Sequence, residues 1–307
     1  MKIRVLGSAA GGGFPQWNCN CAMCRGVRTG SMRARVRTQS SIAVSSDGLD
    51  WILFNASPDI LTQIQQFPAL QPARSLRDTG IASVALMDAQ IDHSTGLYML
   101  REHHRPLELW CTQAVREDLT AGNPLLHLLE HYCGINWHEL RIDTTGDGAP
   151  ITGAPSVSFK PLALTSNAPP YSPHRDNPVP GDTIGMLMHD TTSDARVFYA
   201  PGLGQMEDHV WRAMQQSDCV LIDGTMWTDD EMIRVGASGK TAASMGHLAQ
   251  SGPGGMIEWL DKLPSSTRKI LIHINNTNPI LDEDSPQRSE LAEHGIEVAY
   301  DGMSIEY

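Results

Sequence analysis

The chain has 307 residues, of which 41% are hydrophobic and 19% are charged. These values are ordinary for a globular enzyme and exclude disorder as a description of the whole chain. The net charge of −12 argues against a nucleic-acid-binding surface, which requires a basic patch. One short basic strip, Arg33-Ala-Arg35-Val-Arg37, is predicted to be a solvated strand edge, with a local basic surface as the alternative.

Short β-rich stretches alternate with helical patterns along the chain, which predicts an α/β protein whose sheets are covered by helices. Strands are predicted at residues 3–6, 41–44, 51–55, 83–87, 108–111, 157–162, 184–188, 197–199, 220–222, 270–274 and 297–300. Helices are predicted at residues 58–66, 95–102, 123–133, 206–216, 241–250, 255–262 and 286–294.

No stretch approaches the ~20 apolar residues of a membrane span. The start of the chain alternates polar and apolar residues and then enters a glycine run, a pattern of a strand and turn rather than of a signal peptide. We therefore expect a cytoplasmic location. Because no linker divides the chain, we expect a single domain over residues 1–307.

One long segment lacks any regular period. Residues 166–182 (SNAPPYSPHRDNPVPGD) are polar and proline-rich, and a loop of this length in a compact domain is usually functional or mobile. We expect either a flap over a site or a surface excursion, and His174 within it is a candidate substrate contact.

Three of the six cysteines, Cys19, Cys21 and Cys24, lie within six residues of one another. A tight loop can turn three thiolates toward one ion, and thiolates favour a closed four-coordinate zinc site. The alternatives are unliganded surface thiols or a redox pair. No helix start is expected near these thiols to activate one of them. The remaining cysteines, Cys111, Cys133 and Cys219, are expected to fill the core.

A polar hexad, Asp88-Ala-Gln90-Ile-Asp92-His93, follows the predicted strand at 83–87. The end of a strand that leads into a helix is where α/β proteins commonly place their chemistry. Two carboxylates, an amide and an imidazole are a plausible metal-binding set. An Asp-His pair by itself is more often a helix cap or solvent-facing.

This hexad resembles the signature of the metallo-β-lactamase superfamily, His-x-His-x-Asp-His, with Asp88 and Gln90 in place of the first two histidines. Further matches to the superfamily occur at residues 5–8, 37–41, 53–59 and 271–273. The resemblance implies an αββα sandwich, in which two mixed β-sheets are flanked by helices. It also implies that His273 is the last histidine ligand.

The cysteine cluster resembles the zinc loop of a phosphodiesterase branch of this superfamily. In that branch a residue three positions after the last histidine completes the zinc site, and the position corresponds to Asn276 here. Together, residues 16–21, the hexad and residues 273–279 resemble one family of the superfamily, which takes part in the synthesis of pyrroloquinoline quinone (PQQ).

The substitutions within this frame change the chemistry that the resemblance implies. The strand ends that supply the third histidine and the bridging aspartate of a two-metal hydrolase are Thr165-Ser166-Asn167 and Ala200-Pro-Gly202-Leu-Gly here. Asp92, His93 and His273 remain as a set of two histidines and one carboxylate, the arrangement of non-haem iron(II) oxygenases. Manganese, copper and zinc also suit such ligands.

The resemblance therefore implies an iron(II)- and O2-dependent hydroxylation of the tyrosine ring in a cross-linked glutamate–tyrosine precursor of PQQ. Asp88 and Gln90 would support the metal site, contact substrate or form a weak second metal site. Asp223 and His247 match positions near the catalytic pocket of related branches and are assigned acid–base or orienting roles, although His247 is equally well explained as a histidine packed in a helix.

The other histidines carry weaker signals. His103 and His104 are expected at the end of a helix, where they suit its negative pole. His127 and His131 have the spacing of one helix face, and a ligand pair is the less favoured interpretation.

Two further functions stay open for a scaffold that has lost metal ligands: a non-catalytic carrier or transport protein for PQQ or its precursor, and a residual metal-dependent hydrolase. The expected partners are the small-molecule precursor, O2 and other proteins of the PQQ pathway, without nucleic acid or membrane insertion.

Overall fold

The computed structural model describes residues 1–142 and 146–307. The strands of this part are β1 Lys2–Gly7, β2 Ser41–Ser45, β3 Trp51–Phe54, β4 Ile81–Ala85, β5 Leu107–Cys111, β6 Ile135–Glu139, β7 Ala149–Pro150, β8 Val157–Ala163, β9 Ile184–Asp190, β10 Arg196–Ala200, β11 Cys219–Asp223, β12 Arg268–Ile272, β13 Ile296–Val298 and β14 Ser304–Glu306. The helices are α1 Ala22–Thr29, α2 Ile60–Gln66, α3 Ile91–Ser94, α4 Gly96–Met99, α5 Gln113–Glu117, α6 Leu125–Leu129, α7 Asp208–Gln215, α8 Glu231–Val235, α9 Met256–Leu260 and α10 Pro286–Glu293.

Within the described residues the strands form two seven-stranded sheets, in the orders β14-β1-β2-β3-β4-β5-β6 and β13-β12-β11-β10-β9-β8-β7. Both sheets are mixed: strands β3 to β6 are parallel in the first, and β10 to β13 are parallel in the second. The carboxyl ends of the parallel strands are the edges that carry the polar motifs of the sequence.

The two sheets pack face to face through apolar side chains. Phe54 of β3 lies 5.7 Å from Phe159 of β8 and 6.2 Å from Tyr199 of β10, measured between ring centroids, and all three are buried. Each side chain of this kind contributes about 1.5–3 kcal/mol when it is fully removed from water.

Two further apolar layers join the outer faces of the sheets to helices. Leu53 and Val84 of the first sheet share a cluster with Ile60 of α2, whereas Phe198 of the second shares one with Val210 of α7. The expected αββα sandwich is therefore confirmed.

Several predicted elements have different bounds. The helix predicted at 95–102 is replaced by α3 and α4, so His103 and His104 lie beyond the helix end. The helix predicted at 241–250 is wrong: only a 3-10 turn forms, at Ala243–Met245, and Gly246 ends it in the left-handed conformation at φ 85°.

Most of the elements missed from sequence lie at sheet edges or beside motifs. Strands β6, β7 and β14 were not predicted, nor was helix α1, which begins directly after Cys21. The short helices α5 and α8 were also missed. The side chain of Cys21 caps helix α1, because its Sγ accepts from the backbone N–H of Cys24 at 3.5 Å. The expectation that no helix starts at the cysteine cluster is therefore wrong.

No helix in the described part of the chain is both long and apolar enough to cross a membrane.

Candidate metal centre

Three side chains from two different strand ends converge at one edge of the sandwich. Asp92 and His93 belong to α3, which follows β4, and His273 directly follows β12. His273 adopts a left-handed backbone conformation at φ 60°, which is uncommon outside glycine. The fold thus brings together residues that lie about 180 positions apart in the sequence.

The ligand atoms of this triad have the spacing of a shared ion. Asp92 Oδ2 lies 3.7 Å from His93 Nε2 and 3.4 Å from His273 Nε2. Atoms that bind one ion at about 2.1 Å are expected about 3.0–3.4 Å apart in octahedral or tetrahedral geometry. Both Nε2 atoms are buried and lack a hydrogen-bond partner among the described residues. The three side chains therefore fit a metal ion.

The other ring nitrogen of each histidine is fixed by the protein. His93 Nδ1 lies 2.8 Å and 2.9 Å from the two carboxylate oxygens of Asp88. His273 Nδ1 lies 2.9 Å from the hydroxyl of Thr225, which itself donates to Asp223 Oδ1 at 2.5 Å. These contacts place the ring protons on Nδ1 and leave Nε2 free to bind a metal.

Asp88 and Gln90 lie beside the triad in supporting positions. The Asp88 carboxylate accepts from His93 Nδ1 and, at 2.9 Å, from the backbone N–H of Gln90. These bonds orient the hexad. The Gln90 side-chain amide donates to the Asn167 carbonyl at 3.0 Å. The contacts of Asp88 match support of the metal site, whereas Gln90 contacts Asn167 on the cavity wall.

A second acid–histidine pair borders the triad. The carboxylate of Asp223 lies 2.6 Å from His247 Nδ1 and also accepts from the backbone N–H of Leu203. The His247 ring stacks on His273, with centroids 5.5 Å apart and planes at 26°. His247 thus follows the 3-10 turn and faces the metal centre, and the alternative of a histidine packed within a helix is wrong.

Thr225 is the functional residue that sequence reasoning missed. It joins Asp223 to His273 by hydrogen bonds. The available signal was its position two residues after Asp223, just past the end of β11.

The electrostatics of the site favour positive charge, either as protons on the imidazoles or as a bound cation that replaces them. Burial favours the neutral form of Asp92, but the imidazoles of His93 and His273 outweigh it and hold the pKa of Asp92 well below its usual range. Burial likewise disfavours the His93 imidazolium, yet Asp88 and Asp92 raise the pKa of His93 to about 9. Burial opposes the shift at His247 too, and Asp223 raises the pKa of that ring.

A cavity of about 220 Å³ opens beside the triad. Its other lining residues are Ala10, Gly11, Asp88, Gln90, Ser166, Asn167, Thr183, Gly202, Thr225, Met226, Met245, His247 and Asn275. Asn167 and Gly202 come from the two strand ends where the superfamily resemblance implies a histidine and an aspartate. Neither residue offers an imidazole or a carboxylate, which agrees with loss of a second metal site.

Only the start of the proline-rich loop lines this cavity, through Ser166 and Asn167. The rest is fastened to the hexad and to α5: the Tyr171 hydroxyl donates to the Ala89 carbonyl, and His174 pairs with Glu117 at 3.0 Å. His174 therefore points to α5 rather than into the cavity.

The three clustered cysteines share a second candidate metal site. The sulfurs of Cys19, Cys21 and Cys24 lie within 4.8 Å of one another. Asn276 Nδ2 donates to Cys19 Sγ at 3.1 Å and to Cys24 Sγ at 3.3 Å, so this side chain lies beside the cluster, and its role as fourth ligand stays a prediction. Burial opposes a lowered pKa at Cys19, but hydrogen bonds from Cys21, Cys24 and Asn276 lower it, whereas burial raises the pKa of Cys21 to about 11. Of these two thiols, Cys19 is therefore the more readily ionised.

The remaining histidines and cysteines lie elsewhere. His127 on α6 is exposed near Glu130 at 3.6 Å, and His131 lies beyond the helix end. Cys111 and Cys219 are buried in the core as predicted, whereas Cys133 is only half-buried.

The fold and the residues of the hexad define the class of protein. A family model described as a Beta-lactamase superfamily domain matches residues 50–274, and the chain belongs to the metallo-β-lactamase superfamily. Within it, the chain is a member of the coenzyme PQQ synthesis protein B family, as its relatives show.

Two such relatives carry that name. The protein from Azoarcus sp. is 68% identical over 305 residues, covering 99% of each chain. The protein from Nitrosococcus oceani is 60% identical over 308 residues, again covering 99% of each. Among solved structures, zinc-bound PqqB from Methylobacterium extorquens is similar over 100% of both chains, with 34% identity and a TM-score of 0.89.

Proposed function

We propose that the protein acts in PQQ biosynthesis as a non-haem iron(II) oxygenase that hydroxylates the tyrosine ring of a cross-linked glutamate–tyrosine precursor. The observation that carries this proposal is the convergence of Asp92, His93 and His273, whose two Nε2 atoms lack protein partners among the described residues. Two histidines and one carboxylate anchor one face of an ion and leave other positions for ligands.

Iron(II) bound there would supply oxygen activation, which zinc, with its single oxidation state, does not. The names of the relatives support an oxidative role, because a quinone cofactor is made by oxidation. The replacement of two superfamily histidines by Asp88 and Gln90 supports a single ion rather than a two-metal hydrolase.

The protein's own residues supply positioning and proton transfer. Asp88 and Thr225 hold the two imidazoles in the tautomer that presents Nε2. His247, whose Nδ1 is held by Asp223, has Nε2 left for a ligand in the cavity. Hydroxylation replaces a ring C–H by C–OH with one oxygen atom of O2, while the other oxygen atom leaves as water and takes two electrons and two protons from an external reductant such as ascorbate. We assign to the neutral form of His247 the acceptance of the proton that leaves the ring carbon.

Amide side chains complete the cavity. Gln90, Asn167 and Asn275 line it and offer donors and acceptors to the polar substituents of the precursor. The volume of about 220 Å³ lies below the roughly 300–1,000 Å³ of pockets for drug-sized ligands. It therefore admits the ring to be hydroxylated, with the remainder of the precursor near the opening.

The test uses protein purified without oxygen, reconstituted with iron(II) and mixed with a tyrosine-containing precursor analogue and ascorbate. After oxygen is admitted, we expect mass spectrometry to show a product that has gained oxygen. The gain should be absent with zinc alone and in the His93→Ala variant. Tight binding of unchanged analogue would instead favour the carrier, and cleavage sustained by zinc without oxygen would favour the hydrolase.

A further inference from the structure

A basic cavity lies apart from both candidate metal sites. It has a volume of about 190 Å³ and is formed by the segment 35–37, helix α10 and residues 296–303. We call it the arginine niche, and its charged lining residues are Arg35, Arg37, Glu283, Arg288 and Glu297. This concentration of guanidinium groups contrasts with the chain's net charge of −12.

Arg37 forms the buried floor of the niche and is only 3% exposed. The expectation of a solvated strand edge is therefore wrong at this residue. Both side-chain hydrogen bonds that it makes within the described residues start from Nη1, toward the Ser8 hydroxyl and the Ala299 carbonyl. Its Nε is buried and has no acceptor in the same part of the chain. A buried N–H donor without an acceptor is uncommon and favours a bound ligand or ion.

The three guanidinium groups are close enough to oppose one another. Burial lowers the pKa of Arg37 to about 10, Asp301 acts against this, and Arg288 and Arg35 lower the pKa further. Burial also lowers the pKa of Arg288. An anion among these groups would relieve the repulsion.

The protein itself supplies little negative charge to the niche. Glu283 accepts from Arg35 Nε at 3.0 Å and also faces Arg33 at 3.5 Å, so one carboxylate serves two cations. Glu297 pairs with Arg268, which lies outside the niche, at 2.6 Å. Arg37 and Arg288 thus form no ion pair within 4.0 Å among the described residues, and the carboxylates of Asp301 and Glu283 act on them only from a longer distance.

Contacts with the protein hold the guanidinium groups of Arg35 and Arg288 in fixed positions. Arg35 lies over the Tyr300 ring at 4.5 Å and bonds to Glu283 through Nε, which fixes the plane of its guanidinium group. Arg288 donates through Nη1 to the Ile280 carbonyl at 3.1 Å. Fixed guanidinium groups suit oxygen anions, which they bind through paired N–H donors.

We propose that the arginine niche binds a small oxyanion, a carboxylate or phosphate group carried by a small molecule. Its volume limits the ligand to an anionic group or a small molecule rather than an extended cofactor. The site is independent of the proposed oxygenase reaction.

The proposal is tested by isothermal titration of the whole protein with inorganic phosphate and, separately, with succinate, at constant ionic strength. We expect saturable binding of at least one probe. The probe with the higher affinity identifies the ligand's anionic group as a phosphate or a carboxylate. Arg288→Gln and Arg35→Gln should each weaken that binding by about tenfold or more, because each removes charge-assisted hydrogen bonds. Glu283→Gln should tighten it by removing the competing carboxylate.

Arg33→Gln is the matched control, because Arg33 lies beside the niche without lining it and its side chain is 65% exposed. Arg33→Gln should change binding by less than about twofold, because its contact with Glu283 is solvent-exposed and such surface ion pairs contribute little. The proposal is overturned if neither probe binds saturably, if Arg33→Gln weakens binding as much as Arg288→Gln, or if Arg35→Gln and Arg288→Gln bind as the wild type does. Arg37 is left unchanged because its contacts to Ser8 and Ala299 support the fold.

Discussion

The two histidines of the metal centre are oriented by chemically different partners. His93 is held by the carboxylate of Asp88, whereas His273 is held by the hydroxyl of Thr225, with Asp223 behind it. A carboxylate increases the electron density of the imidazole more than a hydroxyl does. Removal of either partner is therefore expected to weaken metal binding without removing a ligand.

Thr225→Val should weaken metal binding at the active site by about 10- to 100-fold, because the variant keeps the side-chain shape but leaves His273 Nδ1 without an acceptor. Competition titration with iron(II) and a calibrated chelator measures this change. Thr225→Ser, which keeps the hydroxyl, is the control. Equal affinities for the valine variant and the wild type would show that Thr225 does not orient His273.

At this scale the sequence predicted the ligands better than their supports. Asp92, His93 and His273 follow strand ends in a recognisable frame, so their convergence could be expected. The link through Thr225 could not, because threonine is common after strands and only the paired positions of β11 and β12 bring it to His273.

At the scale of elements, the segment 166–182 is positioned by hydrogen bonds to the π-helical turn Asp118–Gly122 and to α5. Ser172 Oγ donates to Asp118 Oδ1, and His174 pairs with Glu117. The same segment begins at the active-site cavity with Ser166 and Asn167. The fastening of this loop therefore affects one wall of the cavity.

The carboxyl of Asp118 makes this fastening sensitive to pH. Burial raises its pKa, Ser172 lowers it and Asp182 raises it, with a result of about 6 against an ordinary 3.8. The folded state therefore holds this proton more tightly than the unfolded state. The associated stability is present below the ordinary pKa and is lost as pH rises through about 6.

Asp118→Asn should remove this pH-dependent loss of stability, because asparagine does not ionise and its side-chain oxygen still accepts from Ser172. We expect the free energy of unfolding of the variant, relative to the wild type, to increase between about pH 4.5 and about pH 7.5. Urea unfolding at both pH values measures the difference. A difference that does not change with pH would contradict the assignment.

Local patterns also explain which elements were predicted wrongly. The helix expected at 241–250 is interrupted by Gly246, whose added Cβ would lie 2.6 Å from Ser166 Oγ and 2.8 Å from the Asn167 N atom. The start of the segment 166–182 therefore packs against the turn before His247. Helix α1 was missed because its first turn follows the cysteine cluster and has no usual capping residue.

At the scale of the whole molecule, the cysteine site joins distant parts of the chain. Cys19 and Cys21 precede α1, Cys24 lies in its first turn, and Asn276 lies just past β12, only three residues beyond His273. An ion held by the cysteines would therefore fix the segment that carries the last ligand of the metal centre. The αββα arrangement could be expected from the motifs, but this coupling depends on tertiary contacts.

A chelator should lower the unfolding temperature of the zinc-loaded wild type by at least about 5 °C, and Cys21→Ser should lose most of this effect. Serine keeps a capping oxygen at the start of α1, so loss of the cap does not explain the result. Differential scanning calorimetry provides the measurement. Cys133→Ser, which changes a thiol outside the cluster, should respond as the wild type does. A chelator response that survives in Cys21→Ser would place the stabilising ion elsewhere.

The central claim is that Asp92, His93 and His273 support oxygenation rather than hydrolysis or simple binding. The most direct measurement supplies isotopically labelled dioxygen to the iron(II)-loaded protein with the tyrosine-containing precursor analogue and follows the label by mass spectrometry. We predict that the new hydroxyl oxygen comes from dioxygen and that His93→Ala incorporates none. Product whose added oxygen comes from water alone, or no oxygenated product at all, would contradict the account.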